Sequence, residues 1–333
     1  MGGDHAPREV VRGAVKAARE FDFSIVLVGR EDVVRAELAS ADPPQGKIEV
    51  VHASEVVEMC EAPGVAFRKK KDSSIRVGLN LVAEGKASSF MSAGNSGAVM
   101  AGALLVLRKI HGIDRPAITA TIPTPTGPIV LIDAGANVDC KPSHLFQFGI
   151  MGEAYARKML GIASPRVGLV SIGEEESKGT DLTRDTAALF RKTPVNFVGN
   201  VEGRDFFAHK ADVFVCDGFV GNVALKTMEG MASAIGHFLK EEILKSWPAR
   251  LGVAFAGGAI RRVRKKLDYA EYGGAPLLGV RGGVVICHGS SDARAVMNGI
   301  RMAGSLYRNG VEGDIARAIE GKGTDPAAQS AAD

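Results

Sequence analysis

Short runs of β-branched and aliphatic residues recur along the chain, and longer amphipathic stretches separate them. This alternation is typical of βαβ units, in which a helix connects parallel strands. It predicts an α/β fold with a mainly parallel sheet flanked by helices. The predicted strands are 24–28, 48–51, 88–91, 129–132, 167–171, 195–198, 213–216 and 284–287. The predicted helices include 8–20, 73–83, 98–111, 143–160, 181–190, 222–244 and 292–307.

Most of the predicted strands run into glycine, asparagine or aspartate. Examples are Gly29, Gly94, Asp133, Gly173 and Asp217. In open α/β sheets the ligand crevice lies at the carboxyl ends of the strands. Binding and catalysis are therefore expected at these turns.

The bulk composition narrows the class of protein. The chain has 333 residues, which is enough for two lobes around one large sheet, and its formal net charge of +3 argues against nucleic-acid binding. The start of the chain carries no signal-peptide pattern, and no apolar run approaches the roughly 20 residues that span a bilayer, so a cytoplasmic location is predicted. We expect a single two-lobed catalytic domain over 1–320, which includes a protruding amphipathic helical hairpin at 240–268. The small polar residues of 321–333 predict a disordered tail.

The four cysteines are scattered and have no zinc-site spacing. We interpret Cys60, Cys140, Cys216 and Cys287 as small buried hydrophobes in a reducing compartment. No metal and no cofactor is predicted.

The first turn follows Met1 without a preceding strand. A doubly wound enzyme normally leads into a Gly-Gly-Asp turn from a buried strand, whereas Met1 already adjoins Gly2-Gly3-Asp4. We therefore expect either an absent first strand or a start that was placed late.

The segment Ser92-Ala93-Gly94-Asn95-Ser96-Gly97-Ala98 lies between an apolar strand and a helix. Its glycines allow close backbone approach, and the unpaired N–H groups of the helix start could cradle an anion. An ordinary βα turn with an N-cap explains the segment equally well.

Two further turns carry carboxylates. Asp133-Ala134-Gly135-Ala136-Asn137 could bind a metal, orient a lysine or cap the turn, and capping is the commoner role. Gly173-Glu174-Glu175-Glu176-Ser177-Lys178 is either a solvated charge run or a loop in which the glutamates hold Lys178 as the cation for a bound phosphate.

The fourth turn, Asp217-Gly218-Phe219-Val220-Gly221-Asn222, begins a helix. The amide of Asn222 could donate to a developing oxyanion, or Asn222 could be an N-cap. His288 ends the last predicted strand and is interpreted as a hydrogen-bonded structural histidine rather than an acid or base. No G-x-S-x-G elbow is present, so a Ser/His/Asp triad is not favoured.

Together these turns resemble one family. Met-Gly-Gly-Asp-His-Ala-Pro, Ser-Ala-Gly-Asn, Asp-x-Gly-Ala-Asn, Gly-Glu-Glu-Glu-x-Lys-Gly, Asp-Gly-Phe-x-Gly-Asn and Tyr-Gly-Gly-Ala are similar, in order, to the motifs of the phosphate acyltransferase (PlsX) family. The likeness runs from residue 1 to about residue 310. One departure is the lack of the strand and the Asp-Ala pair that usually precede Met-Gly-Gly-Asp, and we expect the sheet to lose a member and the Asp4 turn to be misplaced if that strand is absent.

The resemblance implies an enzyme that transfers a long-chain acyl group from acyl carrier protein to inorganic phosphate for phospholipid synthesis. It also implies a homodimer with a fold like isocitrate and isopropylmalate dehydrogenases and phosphotransacetylases. The family's catalytic lysine and asparagine fall on Lys178 and Asn222. The other residues predicted to bind phosphate or substrate are Asp4, His5, Ser92, Gly94, Asn95, Ser96, Gly97, Asp133, Asn137, Glu175 and Asp217.

The proposed reaction needs no acylated side chain, because phosphate is itself a nucleophile. The protein must hold the phosphate against a thioester carbonyl, stabilise the oxyanion and exclude water. We hypothesise that the backbone around 94–98 and Lys178 hold phosphate, while Asn222 faces the thioester oxygen.

A separate segment predicts membrane contact. Residues 251–260 are uncharged and lie between Arg250 and a basic cluster. An apolar tip broken at Gly257-Gly258 suits reversible docking on an anionic leaflet, with Trp247 at the interface. A helix pair at the dimer interface or a landing site for the carrier protein are alternatives. The predicted membrane-contacting residues are Leu251, Val253, Phe255, Ile260, Arg261 and Arg262.

Two rival functions stay open from the sequence. One is a nicotinamide-dependent decarboxylating dehydrogenase of the same general fold. The other is a non-catalytic phosphate-binding scaffold at a membrane surface.

Overall fold

A computed structural model of the chain describes residues 1–267 and 271–322. Its helices are α1 Arg8–Glu20, α2 Glu31–Ala41, α3 Pro63–Lys69, α4 Ser74–Ala83, α5 Ser96–Gly102, α6 Pro142–Leu160, α7 Asp181–Arg191, α8 Gly218–Lys245, α9 Trp247–Leu267, α10 Ala293–Arg308 and α11 Val311–Lys322. Its strands are β1 Ile25–Gly29, β2 Ile48–His52, β3 Ser89–Ser92, β4 Ala117–Ile122, β5 Ile129–Ile132, β6 Val167–Val170, β7 Phe197–Val201, β8 Val213–Val215, β9 Ala275–Leu278 and β10 Gly283–Ile286.

Eight strands form one mixed sheet in the order β3-β10-β9-β4-β5-β8-β6-β7. The pairs β3–β10, β5–β8, β8–β6 and β6–β7 are parallel, while β10–β9, β9–β4 and β4–β5 are antiparallel. Helices flank the sheet, so the predicted α/β class is confirmed. The strands of the β3 side therefore run opposite to those of the β5 side.

The two strands that sequence reasoning missed, β4 and β9, make the antiparallel centre of the sheet. β9 contains Pro276, and proline lowers the strand signal of such a short run. β4 is an Ala/Thr/Ile run that Pro116 precedes and Pro123 follows. These strands join β3 and β10 on one side to β5, β8, β6 and β7 on the other in one sheet.

The predicted helix 98–111 is wrong in its second half. The α-helix ends at Gly102, a π-helical turn covers Ala103–Leu107, and Arg108 takes a positive φ of 66°. The short helices α2 and α3, and the longer α11, were not predicted.

The main core lies between the sheet and α6. Phe148, Ile150, Met151 and Tyr155 of this helix are fully buried against strand residues such as Ile132. α6 begins with a proline at its first turn and ends at Gly161 in the left-handed conformation, which are the usual start and stop residues. This packing fixes the carboxyl end of β5, where Asp133 follows.

β1 and β2 form a separate parallel pair, so the sheet is in two parts. A cavity of about 580 Å³ separates β1 from β3, and Met1 lines it. The Asp4 turn nevertheless lies at the carboxyl ends of β3 and β10, because the Asp4 N–H donates to the Gly289 carbonyl at 2.9 Å.

α8 and α9 form the helical hairpin. The turn between them is Ser246, and of α8 only Gly218 and Gly221 are buried. The predicted break at Gly257-Gly258 is wrong, because α9 continues through both glycines, which helices tolerate at a modest cost. The side chains of Leu251, Ile260 and Arg261 lie outside the described part of the chain, whereas Phe255 and Arg262 are exposed and Val253 is half-buried.

Two further predictions concern membrane spans and the C-terminal tail. In the ranges that the structure describes, no helix is both long and apolar enough to cross a bilayer. Of the tail predicted at 321–333, Gly321 and Lys322 belong to α11, and the rest lies outside the described residues.

Candidate active site

Asp133 organises the turn after β5. Its carboxylate is fully buried and accepts hydrogen bonds from the backbone N–H groups of Ile118, Gly135, Ala136 and Asn137 at 2.7–3.1 Å, and from the Asn137 side chain at 2.8 Å. Burial raises the pKa of Asp133, and these donors oppose the rise. The side chain is thus committed to the turn, in line with the capping interpretation.

The turn after β8 packs on the Asp133 turn. Asp217 caps α8 by accepting the Val220 N–H at 2.9 Å, and the Gly218 N–H donates to the Asn137 carbonyl at 2.6 Å. A Cβ on Gly221 would lie only 1.9 Å from the Asp133 carbonyl oxygen, so only glycine allows this approach. The two turns therefore form one rigid unit.

Asn222 projects from the first turn of α8 and is exposed. It is not the N-cap, since Asp217 takes that role and the helix begins at Gly218 rather than at the predicted 222. Its side chain borders Gly135, where an added Cβ would lie 3.6 Å from the Asn222 Oδ1. Within the described ranges its amide makes no hydrogen bond, so it can donate to a substrate.

Lys178 lies in the loop after β6 and is exposed. The hypothesis that glutamates hold it is wrong: Glu174 pairs with Lys210 at 2.8 Å, and Glu176 pairs with Arg191 at 2.7 Å. Glu175 instead accepts the Lys178 N–H with its backbone carbonyl at 3.0 Å. The Lys178 ammonium has no ion pair with a described residue, which leaves its charge available to an anion.

The sheet brings these three turns to one edge. β5, β8 and β6 are neighbours and parallel, so the turns that follow them leave the same edge about 5 Å apart per strand. The structure thus places Asp133, Asn137, Glu175, Lys178, Asp217 and Asn222 in one region.

The turn after β3 forms a second group. Asn95 is buried, accepts the Ala98 N–H at 3.0 Å, and donates to the carbonyls of Glu58, Met59 and Glu61 at 3.1–3.2 Å. Its amide is fully engaged, so Asn95 anchors a loop rather than offering a free ligand. Ser96 is exposed on the surface of this turn.

The remaining members of the second group surround the carboxyl ends of β3 and β10. The Gly94 N–H donates to the Ser92 hydroxyl at 3.1 Å, and a Cβ on Gly97 would clash with Pro63 at 2.5 Å. Asp4 and His5 are exposed beside Gly289. His288 Nδ1 is 2.7 Å from the Ser290 hydroxyl, which agrees with its structural interpretation.

The two groups follow strands of opposite direction, so their turns leave opposite edges of the sheet. Neighbouring strands twist by about 20–25° each, and the four steps from β3 to β5 do not reverse this direction. No hydrogen bond or ion pair between described residues joins the groups. Their convergence on one substrate stays a prediction.

The cysteines around the site are not reactive thiolates. Burial, together with the charges of Asp133 and Asp217, raises the pKa of Cys140 to about 12, and burial raises the pKa of Cys216 well above its usual range. Cys216 and Cys287 are buried as expected, but Cys60 is exposed and Cys140 is half-buried, so the interpretation is wrong for Cys60.

One residue of this edge was missed. Asn200 is the second-to-last residue of β7, is buried, and donates to the Glu175 carbonyl at 3.0 Å. The signal was present, since Gly199-Asn200 is a glycine and asparagine pair at a strand end like those of the other turns.

Comparison with known proteins decides the family. A family model described as "Fatty acid synthesis protein" matches residues 1–313. The phosphate acyltransferase of Pelotomaculum thermopropionicum is 55% identical over 320 residues, covering 96% of this chain and 93% of the relative. That of Pelobacter propionicus is also 55% identical, over 93% of this chain and 90% of the relative.

The chain belongs to the phosphate acyltransferase family. Its fold is similar to that of EutD phosphotransacetylase from Staphylococcus aureus, with a TM-score of 0.60 at 15% identity over 90% of this chain and 91% of the other. A phosphotransacetylase from Streptococcus pyogenes gives a TM-score of 0.60 at 19% identity over 95% and 92%.

The chain is accordingly an enzyme of fatty acid and phospholipid synthesis that transfers an acyl group to phosphate. The comparisons favour neither rival, because the relatives are named as acyltransferases and not as dehydrogenases or non-catalytic scaffolds.

Proposed function

We propose that this phosphate acyltransferase takes a long-chain acyl group from acyl carrier protein and delivers it to inorganic phosphate in the cytoplasm, giving acyl phosphate for phosphatidic acid synthesis. The observation that carries the proposal is that Lys178 and Asn222 follow neighbouring parallel strands at one edge of the sheet, and neither side chain has a hydrogen-bond or ion-pair partner among the described residues. Phosphate needs the cation of Lys178, and a thioester oxygen needs the amide of Asn222.

In the proposed step a phosphate oxygen forms a bond to the thioester carbon, and the carbonyl oxygen becomes an oxyanion. Asn222 donates to that oxyanion while Lys178 holds the phosphate. The intermediate collapses as the carbon–sulfur bond breaks and the thiolate of the carrier's prosthetic arm leaves. A thiolate leaves with little protonation because thiols are far more acidic than alcohols, so the step needs no acid residue.

We propose supporting roles for the other predicted residues. Gly94, Ser96 and Gly97 of the second group complete the phosphate side together with Ser92, Asp4 and His5. Asp133, Asn137, Asp217 and Asn95 hold the turns in place through the hydrogen bonds described above. We therefore expect the four residues that hold the turns to be needed for folding as well as for activity.

The donor is tested directly. We expect palmitoyl-acyl carrier protein and phosphate to give palmitoyl phosphate, trapped as the hydroxamate, with one free carrier thiol per product. Palmitoyl-coenzyme A and acetyl-acyl carrier protein are the comparison donors. Equal or faster turnover of either one would reject the corresponding part of the proposal.

We further propose that the hairpin docks reversibly on an anionic leaflet. Phe255 is 93% exposed and Trp247 is 72% exposed, and a basic cluster follows them in the sequence. Exposed aromatic side chains beside cations suit the membrane interface.

Vesicle flotation tests the docking. We expect binding to vesicles that contain phosphatidylglycerol, weakening with salt and lost in Phe255→Glu. Phe207→Glu, which alters an exposed aromatic on the catalytic body, is the matched control and is expected to float like the wild type. No binding of the wild type even at low salt would end the proposal.

We also propose a homodimer. Met231, Ile235, Phe238 and Leu239 are each more than half exposed and share one face of α8 at helical spacing. A second copy would cover this face. A monomeric mass in sedimentation analysis at micromolar concentration would contradict it.

A further inference from the structure

The strand β7 contains a bulge directly before Asn200. Val167 pairs with Phe197 but Gly168 pairs with Gly199, so Val198 is left without a partner. Gly199 takes a φ of +91°, which a residue with a side chain rarely adopts. Bulges of this kind redirect the next side chain, and here that side chain is Asn200.

The redirected amide reaches the neighbouring loop. Asn200 Nδ2 donates to the Glu175 carbonyl oxygen at 3.0 Å, and the same oxygen accepts the Lys178 N–H at 3.0 Å. Asn200 is only 7% exposed, so water cannot easily replace this bond. The Glu175 carbonyl is thus the point at which a buried side chain of the sheet fixes the loop of Lys178.

The rest of the loop is held weakly. The glutamate side chains on either side of Glu175 form ion pairs that are exposed, and such pairs contribute little. The Lys178 side chain lies over Gly173, where an added Cβ would come within 3.0 Å of its Cγ. Arg184 donates to the Gly179 carbonyl at 2.8 Å, but that bond is exposed, so the Asn200 bond is the buried side-chain constraint on the loop that carries the ammonium.

We propose that Asn200 is a positioning residue that sets the Lys178 ammonium for phosphate. The inference rests on the proposed function, because it assumes that Lys178 holds phosphate. Asn200 itself touches no substrate and acts through the Glu175 carbonyl.

The experiment uses the full-length enzyme with Asn200→Asp and Asn200→Ser. Asn200→Asp keeps the shape of the side chain but removes the N–H donor. Asn200→Ser introduces no charge, so it serves as the test if a buried carboxylate at this position prevents folding. We expect kcat/KM for phosphate to fall about tenfold to a hundredfold, as for a displaced catalytic group. The KM for the acyl donor is expected to stay within about twofold of the wild type, since a positioning loss on the phosphate side leaves donor binding intact.

Two further readouts separate positioning from general damage. Hydrogen exchange is expected to speed up in peptides that cover 173–179 and to stay unchanged in α6. In a Lys178→Ala background, Asn200→Ser is expected to cost no further activity, because both changes remove the same interaction. Asn196→Ser is the matched control. Asn196 directly precedes β7, and its side-chain amide donates to the Ser164 carbonyl at 3.2 Å, away from the Lys178 loop.

The outcomes are distinct. Wild-type phosphate kinetics or unchanged loop exchange in Asn200→Ser would overturn the positioning role while Lys178→Ala remains inactive. Wild-type kinetics in Lys178→Ala would instead reject the proposed function, whatever Asn200 does.

Discussion

Lys178→Ala and Asn222→Ala are each expected to lower kcat by about a hundredfold to a thousandfold, the usual effect of removing one preorganised group that stabilises a developing charge. Both side chains are exposed and make no side-chain hydrogen bond or ion pair with any described residue, so the loss is expected without a change in the urea midpoint. Single-turnover acyl phosphate formation measures the effect, and urea unfolding checks stability.

A matched control lies at the end of the helix that follows the Lys178 loop. Lys192 is an exposed lysine that follows α7, and Lys192→Ala is expected to keep the wild-type rate. If Lys178→Ala behaves like this control, the phosphate-binding role of Lys178 is wrong. If Asn222→Ala also keeps its rate, the catalytic edge has been placed incorrectly.

Gly221→Ala is expected to destabilise the protein by about 3 kcal/mol and to remove most activity. The new Cβ would lie 1.9 Å from the Asp133 carbonyl oxygen, which is backbone and cannot rotate away. Overpacking of a rigid contact costs about 1–3 kcal/mol, and the forced shift of α8 also displaces Asn222. Urea unfolding and the acyl phosphate assay measure the two effects.

The same helix supplies the control. A Cβ on Gly230 meets no atom within 4 Å, so Gly230→Ala is expected to stabilise the protein by about 0.5–1 kcal/mol through a lower entropy of the unfolded chain. Equal stability of the two variants would show that α8 does not pack on the Asp133 turn as described.

Local patterns predicted the elements that are strongly periodic. The strand 129–132 and the helix 8–20 were predicted with their observed bounds, because the first is a continuous apolar run and the second has a regular apolar face. The strands β4 and β9 were missed because Pro276 lies within β9 and prolines flank β4, and proline lowers the strand signal of such short runs. No local signal distinguishes such a short run from a loop.

The site was predicted to a similar extent. Glycine, aspartate and asparagine at strand ends correctly located the turns, since parallel strands must bring these ends to one edge. The hydrogen bonds and ion pairs of individual side chains were not predictable. Asn95 donates to carbonyls of residues 58–61, and Glu174 forms an ion pair with Lys210. Tertiary packing brings these partners together, so no local pattern indicates them.

The length of α8 has a mechanical consequence. At 1.5 Å per residue its 28 residues make a rod of about 42 Å, which packs on the core near one end, through Gly221, Ala224, Leu225 and Met228, and then runs alongside α9. Asn222 adjoins Gly221 at that packed end. Under the proposed mechanism, a surface that pushes on the outer end of the hairpin is expected to rotate the Asn222 amide slightly and so to change turnover without entering the crevice.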